Sequence, residues 1–362
     1  MPVPLFDTTT ALAPLHGQID AAIADVVAQR RFILGPQVAA FEQGFAAYCG
    51  TRHAVGVANG TDALTIALRA IGVGPGDEVV VPSFTFYATA EAVPATGARP
   101  VFCDVDPDTF CITPETVAAA LTPATKAVVA VHLFGNLAPV AAIEALGVPV
   151  LEDAAQAAGT RGAGGRPGAL GSAATWSFFP SKNLACFGDG GAITTDDDAL
   201  AAFARMLRFH GSHDKVTYEH IGYNSRLDEL QAAILRVQLP ALDGWADGRR
   251  AAGRHYEQAG LGELVTLPAP APGAEPAWHL YVVRSERADE LAAGLPAHGI
   301  GCKAYYRLPV HRQPAMAPFA GGVELPATDE LARTHLALPM SPVLDAAQAA
   351  EVVAAVRAVL AS

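Results

Sequence analysis

Short apolar runs alternate with helical patterns over the first 200 residues, and this alternation constrains the fold more than any other feature of the sequence. The seven runs are rich in valine and lie at 53–58, 78–82, 100–105, 126–132, 148–153, 173–178 and 191–195. Strands that are buried on both faces and separated by helices are typical of βαβ units. The pattern predicts an α/β fold with a mainly parallel sheet that is covered on both sides.

Two helices between these runs are predicted from residues that favour helix starts. We expect them over 61–71 and 114–121, with Thr61 and Thr113 as their N-caps. The three aspartates at 196–198 indicate a further helix start, where negative charge meets the positive end of the helix dipole. These helices would cover the faces of the sheet.

The pattern changes after Asn224, where apolar residues recur mainly at helical spacing. We expect Pro240 to bend or interrupt this run, because proline cannot donate the backbone hydrogen bond of a helix interior. A smaller region follows and ends in a helical pattern over 346–360. We therefore predict a large N-terminal domain over residues 1–245 and a small C-terminal α/β domain over 246–362.

Composition and charge exclude several classes of protein. Hydrophobic residues make up 51% of the 362 residues and charged residues 17%, which excludes a disordered chain. The formal charge of −12 opposes binding to nucleic acid. Neither a signal-peptide pattern nor a membrane-spanning apolar run is present, so we expect a cytoplasmic protein without membrane contact. The five cysteines are widely spaced, which favours buried, reduced thiols over a disulfide framework or a metal site.

Three segments at the ends of predicted strands carry candidate site residues. Gly60 and Thr61 open a helix whose unpaired first amides suit a phosphate, although taken alone this segment is more simply an ordinary strand-to-helix turn with a Thr cap. Asp153 ends a buried strand at the edge where open α/β sheets bind ligands, and a helix N-cap is its alternative interpretation. Lys182 follows the aromatic strand that ends near Ser177, and taken alone it would be an exposed lysine.

Together the three segments fit one ligand, pyridoxal 5′-phosphate (PLP). Its phosphate requires hydrogen-bond donors, which Gly60, Thr61 and Ser177 can supply. Its ring nitrogen must stay protonated if the ring is to accept electrons, and a buried Asp153 would ensure this. Its aldehyde condenses with an amine, for which Lys182 is available. The sequence therefore predicts a PLP site.

Several motifs occur in the order that is found in one known family. They are VPLFD at 3–7, RFILGP at 31–36, SFFPSKNL at 177–184, GYNSRL at 222–227, the tyrosine pair at 305–306 and PVH at 309–311. Over essentially its whole length the chain resembles the sugar aminotransferases of the DegT/DnrJ/EryC1/StrS family. The resemblance implies the aspartate-aminotransferase-like PLP fold of type I, with a mainly parallel seven-stranded sheet in the large domain.

The resemblance also implies roles for individual residues. Lys182 would bind the cofactor covalently and carry a proton, and its presence favours transamination over the dehydration catalysed by family members that have histidine there. Asp153 would hold the ring nitrogen, Gln156 would donate to the ring hydroxyl, and Phe86 would stack on the ring. Asn224 would reach the phosphate in the neighbouring subunit, which implies a homodimer with shared active sites.

The substrate implied by the resemblance is a keto nucleotide sugar that receives the amino group of L-glutamate. The segments 187–191 and 305–314 resemble those of the 3-aminotransferase members of the family, which favours a 3-keto over a 4-keto sugar. Arg226 of the partner subunit, Tyr306 and His311 are candidates for the sugar pocket; a structural salt bridge is the alternative for Arg226, and a buried, hydrogen-bonded histidine for His311. The alternative substrate is a cyclitol ketone of the inosose type, and the alternative class of protein is a PLP-binding regulator without turnover.

Overall fold

The computed structural model describes residues 2–361 and shows alternating helices and strands. The α-helices of this described part are α1 (His16–Gln29), α2 (Pro36–Cys49), α3 (Gly60–Ala70), α4 (Ala88–Glu91), α5 (Pro114–Ala118), α6 (Val140–Glu144), α7 (Asp198–Leu207), α8 (Glu229–Gln238), α9 (Leu242–Gln258), α10 (Ala288–Gly294), α11 (Ala317–Ala320), α12 (Pro326–Thr334) and α13 (Ala346–Ala361). The strands are β1 (His53–Val57), β2 (Glu78–Pro82), β3 (Arg99–Cys103), β4 (Thr125–Val131), β5 (Val150–Asp153), β6 (Arg161–Gly162), β7 (Ala173–Ser177), β8 (Gly191–Thr195), β9 (Ala274–Glu275), β10 (Tyr281–Arg284) and β11 (His335–Leu338).

One seven-stranded sheet forms the centre of the molecule, with the strand order β1-β8-β7-β5-β4-β2-β3. β8 runs antiparallel to its neighbours β1 and β7. The remaining neighbouring strands are parallel. The predicted mainly parallel, seven-stranded sheet is confirmed. Because β1, β5 and β7 run in the same direction, the residues that follow them meet at one edge of the sheet.

The helix starts agree with the predictions in part. The predicted cap Thr61 is wrong: the Asn59 side chain accepts a hydrogen bond of 2.8 Å from the backbone N–H of Asp62, so α3 begins at Gly60. Thr113 caps α5 as predicted. That helix ends at Ala118 rather than at residue 121.

The chain leaves the sheet region through two helices that are separated at a proline. Leu239–Ala241, which contains Pro240, forms a short 3₁₀ segment between α8 and α9, so the predicted interruption is confirmed. The predicted domain boundary after residue 245 falls inside α9, which continues towards the C-terminal region. There β10 and β11 form an antiparallel pair, and α13 packs on α9.

Three buried clusters hold these layers together. The largest contains apolar residues of β2, β4 and α3, and a second places α2 and α8 against the other side of the sheet around Phe45 and Trp176. The third lies in the C-terminal region and includes Val3. The backbone of Val3 bonds to those of Gly299 and Gly301, both at 2.9 Å, so the N-terminal arm lies on the C-terminal region.

Metal sites and membrane spans are absent from the described residues. Between residues 2 and 361, no helix is long and apolar enough to cross a membrane. The same residues contain no group of three or more His, Cys, Asp or Glu side chains that could hold a metal ion. The five cysteines are free thiols, four of them buried and Cys302 partly buried.

Candidate active site

A pocket of about 670 Å³ lies at the edge of the sheet where β1, β5 and β7 end. This is the edge at which parallel sheets bind ligands. The predicted site residues that line it are Gly60, Thr61, Phe86, Asp153, Gln156, Ser177, Lys182 and Tyr306. Residues that lie far apart in the chain are thus brought to one cavity.

Lys182 enters the pocket from a tight turn after β7. Its backbone N–H donates to the carbonyl of Phe179 at 2.8 Å. The adjacent Asn183 donates to the carbonyls of Ala158 and Ala277 at 3.2 and 3.1 Å, which fixes the turn. Burial lowers the pKa of the Lys182 amine to about 8, although the charge of Asp153 acts in the opposite direction. A neutral, nucleophilic amine is therefore accessible near neutral pH.

Asp153 ends β5 and presents its carboxylate inside the pocket. One oxygen accepts a hydrogen bond of 2.8 Å from the hydroxyl of Thr89, and the other accepts one of 3.2 Å from the backbone N–H of Ala155. Burial raises the pKa of this carboxyl, whereas these hydrogen bonds and the positive charge of Lys182 lower it. A cationic ring nitrogen placed beside Asp153 would stabilise the ionised form further.

Gly60 and Ser177 form a close contact at the start of α3. A Cβ atom on Gly60 would lie 2.8 Å from the Cβ of Ser177, so only glycine allows the helix N-terminus to approach this hydroxyl. The free amides of the first turn, the Thr61 side chain and Ser177 therefore surround one corner of the pocket. Such a corner has the donor set that a phosphate requires.

Gln156 and Tyr306 form the opposite side of the pocket. The Gln156 carbonyl oxygen accepts a hydrogen bond of 2.7 Å from the backbone N–H of Phe134, and its amide donates to the Tyr306 hydroxyl at 3.2 Å. The Tyr306 ring stacks on that of Phe134 with centroids 5.9 Å apart. The Tyr306 backbone N–H donates a hydrogen bond of 3.2 Å to the Nε2 atom of His335. These contacts give Tyr306 a fixed orientation.

Three predicted residues lie outside the pocket of their own chain. Asn224 is exposed and is contacted by the guanidinium of Arg226. His311 is buried with its Nδ1 2.6 Å from the hydroxyl of Ser83. The Ser83 hydroxyl also accepts from the His311 backbone N–H at 3.0 Å. This placement matches the alternative of a buried, hydrogen-bonded histidine, and it leaves the sugar-binding role of His311 without support.

Several residues that line the pocket, or that bond to a residue lining it, are not predicted from the sequence. Thr89, which bonds to Asp153, lies in α4 and shares no recognisable spacing with its partner. Phe6 and Asp189 also line the pocket. They lie in two segments that the sequence analysis names, VPLFD at 3–7 and the loop 187–191, but neither residue is assigned a role there. His279 lines the pocket from the C-terminal region, and its Nδ1 is buried without a hydrogen-bond partner among the described residues. Only the folded chain shows this proximity.

Comparison with known proteins identifies the family. The model of the DegT/DnrJ/EryC1/StrS aminotransferase family matches residues 15–357. The chain belongs to this family. The predicted family and fold are thereby confirmed, and with them an aminotransferase that uses PLP.

Similar family members include proteins with different names. The chain is 48% identical to a dTDP-3-amino-3,4,6-trideoxy-α-D-glucose transaminase from Streptomyces venezuelae, over 98% of this chain and 95% of that protein. It is 46% identical, over 95% of each chain, to a protein from Geobacillus stearothermophilus that is named a pleiotropic regulatory protein. A crystal structure of DesV from S. venezuelae in complex with a ketimine intermediate has a TM-score of 0.95 and 47% identity, and the match covers 99% of this chain and 98% of that one.

The residues of the pocket fit the cofactor of the DegT/DnrJ/EryC1/StrS family. The close approach of Gly60 to Ser177 brings the amides of the helix N-terminus and a hydroxyl together beside the pocket, as a phosphate requires. The buried Asp153 faces the same cavity as the amine of Lys182, whose pKa is lowered. Phe86 lines the pocket with 59% of its surface exposed, so its ring is free to cover a planar ligand.

Proposed function

We propose that this family member transfers the amino group of L-glutamate to the 3-keto group of a nucleotide sugar. The observation that carries the proposal is the meeting of Lys182, Asp153 and the α3 N-terminus in one pocket of about 670 Å³. The choice of the 3-position is supported by the name of the relative from S. venezuelae, a 3-amino-sugar transaminase. L-Glutamate as the donor follows from the family resemblance.

Lys182 is the residue that we assign to proton transfer. PLP, when bound, supplies a ring that stabilises negative charge on the carbon next to the nitrogen being transferred. The Lys182 amine lies in the pocket with a pKa of about 8, so its Nζ can both accept and release a proton near neutral pH. The same nitrogen is the group that we expect to attach the cofactor covalently.

Asp153 and the phosphate corner position the reaction. The Asp153 carboxylate would keep a proton on the ring nitrogen, with Thr89 holding one carboxylate oxygen in place. Gly60, Thr61 and Ser177 would hold the phosphate, and Phe86 and Gln156 would fix the ring plane and its hydroxyl. These roles orient the cofactor relative to Lys182.

A second subunit would complete the site. Asn224 and Arg226 belong to the surface of their own chain, in a segment that also exposes Val216 and Ile221 at 80% and 88%. Apolar side chains exposed to this degree favour an interface. We therefore propose a homodimer in which Asn224 binds the cofactor phosphate of the partner and Arg226 contacts its sugar nucleotide.

A substrate panel tests the proposed function against the two alternatives. The purified, PLP-loaded enzyme is incubated with L-glutamate and, separately, a 3-keto nucleotide sugar, a 4-keto nucleotide sugar and an inosose, and products are identified by mass. We expect rapid amination of the 3-keto sugar. Preferred amination of the inosose would establish the cyclitol alternative, and failure of glutamate to convert bound PLP to its amine form would favour a regulator.

A further inference from the structure

Arg249 of α9 is a buried cation that has no carboxylate partner among residues 2–361. Its surface is 7% exposed, and within residues 2–361 it forms no ion pair with a carboxylate. One guanidinium nitrogen donates to the carbonyls of Trp278 and His279 at 3.0 and 3.4 Å. Its Nε has no hydrogen-bond partner in the described chain. A buried charge without a counter-charge is costly, so this position favours an anionic ligand.

Arg249 borders a small cavity that shares lining residues with the active-site pocket. This cavity of about 40 Å³ is lined by Arg249 together with Lys182, Ser181 and Phe6, and the last three also line the main pocket. It has room for a group the size of a carboxylate. Lys182 and the cation Arg249 thus border one small cavity, which we call the cavity behind Lys182.

Asp7 borders the same cavity, but its carboxylate is hydrogen-bonded to backbone N–H groups of its own turn. Its carboxylate accepts hydrogen bonds from the backbone N–H groups of Thr9 and Thr10 at 3.0 and 2.8 Å, which hold it in the turn of the N-terminal arm. Among the carboxylates of the main pocket, Asp153 is assigned to the ring nitrogen by the proposed function. Neither of these two acids is available to neutralise Arg249.

The chemistry of an amino-acid donor fits this position. In any α-amino acid, the carboxylate and the transferred nitrogen share one carbon atom, so the carboxylate oxygens lie within about 4 Å of that nitrogen. The donor nitrogen must take the place of the Lys182 amine. Its carboxylate consequently lies within reach of a group that borders the cavity behind Lys182.

We propose that Arg249 binds the carboxylate of the amino-acid donor in the cavity behind Lys182. The inference rests on the proposed transamination and adds the donor subsite. A guanidinium presents a planar fork of donors that matches a carboxylate. The diphosphate of the sugar nucleotide has the same charge and is the competing ligand, but it is much larger than this cavity.

The two half-reactions of the PLP-loaded enzyme separate these ligands. L-Glutamate converts the loaded enzyme to its amine form, which is followed by absorbance, and the keto nucleotide sugar then reacts with the amine form. We expect Arg249→Gln to raise the glutamate concentration for half-maximal rate by about ten- to a hundredfold. The sugar half-reaction should be unchanged.

Two further variants distinguish charge, shape and folding. Arg249→Lys keeps a cation but loses the fork, so we expect a loss smaller than that in Arg249→Gln; this variant also decides the test if Arg249→Gln does not fold. Arg250→Gln is the matched control, because the neighbouring Arg250 forms an ion pair with Asp247 and lines neither cavity. We expect Arg250→Gln to behave like the wild type in both half-reactions.

A binding measurement provides a readout that is independent of turnover. Glutarate carries two carboxylates and no amine, and its binding to the PLP-loaded enzyme can be measured by calorimetry. We expect Arg249→Gln to weaken glutarate binding at least tenfold and Arg250→Gln to leave it unchanged. Equal losses in both half-reactions would overturn the proposal in favour of a structural role, and a loss confined to the sugar half-reaction would assign Arg249 to the diphosphate.

Failure of this inference is distinguishable from failure of the proposed function. The glutamate half-reaction needs no sugar, so an enzyme that aminates none of the nucleotide sugars still reports on Arg249. If glutamate is inactive, L-glutamine, L-alanine and L-aspartate replace it, because they carry the same carboxylate. A donor preference for amines without a carboxylate would contradict the proposed subsite.

Discussion

The amine of Lys182 is subject to two opposing effects. Burial lowers its pKa, and the nearby Asp153 carboxylate raises it, with a result of about 8 against an ordinary value of 10.5. The neutral fraction of the amine rises as the pH passes through about 8. Because only the neutral amine attacks an aldehyde, the reactivity of Lys182 rises with it. The reactivity of this residue is therefore set by how deeply the turn after β7 is buried.

Reconstitution of the cofactor-free protein tests this lowered pKa. We expect the rate of covalent PLP attachment to increase with pH and to level off above a midpoint near 8, because the neutral amine then predominates. Stopped-flow absorbance across pH 6.5 to 10 measures the midpoint. A rate that continues to rise towards pH 10 would show that Lys182 has the pKa of an exposed lysine.

Replacement of Asp153 tests the charge beside the ring nitrogen. Asp153→Asn keeps the shape but removes the negative charge, and an opposite charge within about 4 to 6 Å shifts a pKa by about 1 to 3. We therefore expect turnover to fall by about ten- to a thousandfold while PLP stays bound. Initial rates at saturating PLP, with cofactor content determined by absorbance, make the comparison. Near-normal turnover would remove Asp153 from this role.

The sequence predicts the residues that would contact the cofactor better than the residues that hydrogen-bond to them or lie beside them. Lys182, Asp153 and Gly60 each lie beside a strand end, and the strand pattern alone places them at one edge of the sheet. Thr89 and Arg249 come from helices whose positions depend on tertiary packing. No spacing in the sequence relates them to Lys182 or Asp153, so only the folded chain shows their proximity.

At the level of elements, the contact between the start of α3 and the end of β7 determines the shape of the proposed phosphate-binding corner of the pocket. Gly60→Ala would place a Cβ atom 2.8 Å from that of Ser177, so the helix start must move or the serine must rotate away. Overpacking of this kind costs about 1 to 3 kcal/mol. We expect PLP affinity to fall by about tenfold, as measured by fluorescence titration.

A glycine on a different helix is the control for Gly60→Ala. Gly17 lies in α1, and a Cβ atom there would have no neighbour within 4 Å. Gly17→Ala should leave PLP affinity unchanged and stabilise the helix by about 0.5 to 1 kcal/mol. If Gly60→Ala binds PLP as tightly as the control, the close approach at this corner is not required.

Strands were predicted more accurately than helix ends because the two depend on different information. Both faces of the central strands are buried, so a continuous apolar run marks each one; β2 and β8 have the predicted bounds. The start of α3 depends on which of two nearby polar side chains bonds to a backbone N–H. Asn59 and Thr61 are both acceptable caps by composition, and the structure selects Asn59.

At the scale of the whole molecule, the account requires two subunits for each complete site. A mixed dimer of Lys182→Ala and Asn224→Ala protomers tests this requirement. If Asn224 acts across the interface, the protomer that retains Lys182 receives Asn224 from its partner, and one intact site forms. We expect little activity in either variant alone and up to half of the wild-type activity per mixed dimer. Absence of recovery in dimers shown to be mixed would place Asn224 in its own subunit's site.

The fate of the donor nitrogen shows directly whether the enzyme aminates C3 of a nucleotide sugar. The PLP-loaded enzyme is incubated with ¹⁵N-labelled L-glutamate and an enzymatically prepared 3-keto nucleotide sugar, and the isolated product is examined by NMR. The account predicts one ¹⁵N atom bonded to C3 of the sugar, together with an equal amount of 2-oxoglutarate. A sugar recovered without ¹⁵N, or one that carries the label on a carbon other than C3, would contradict the proposed function.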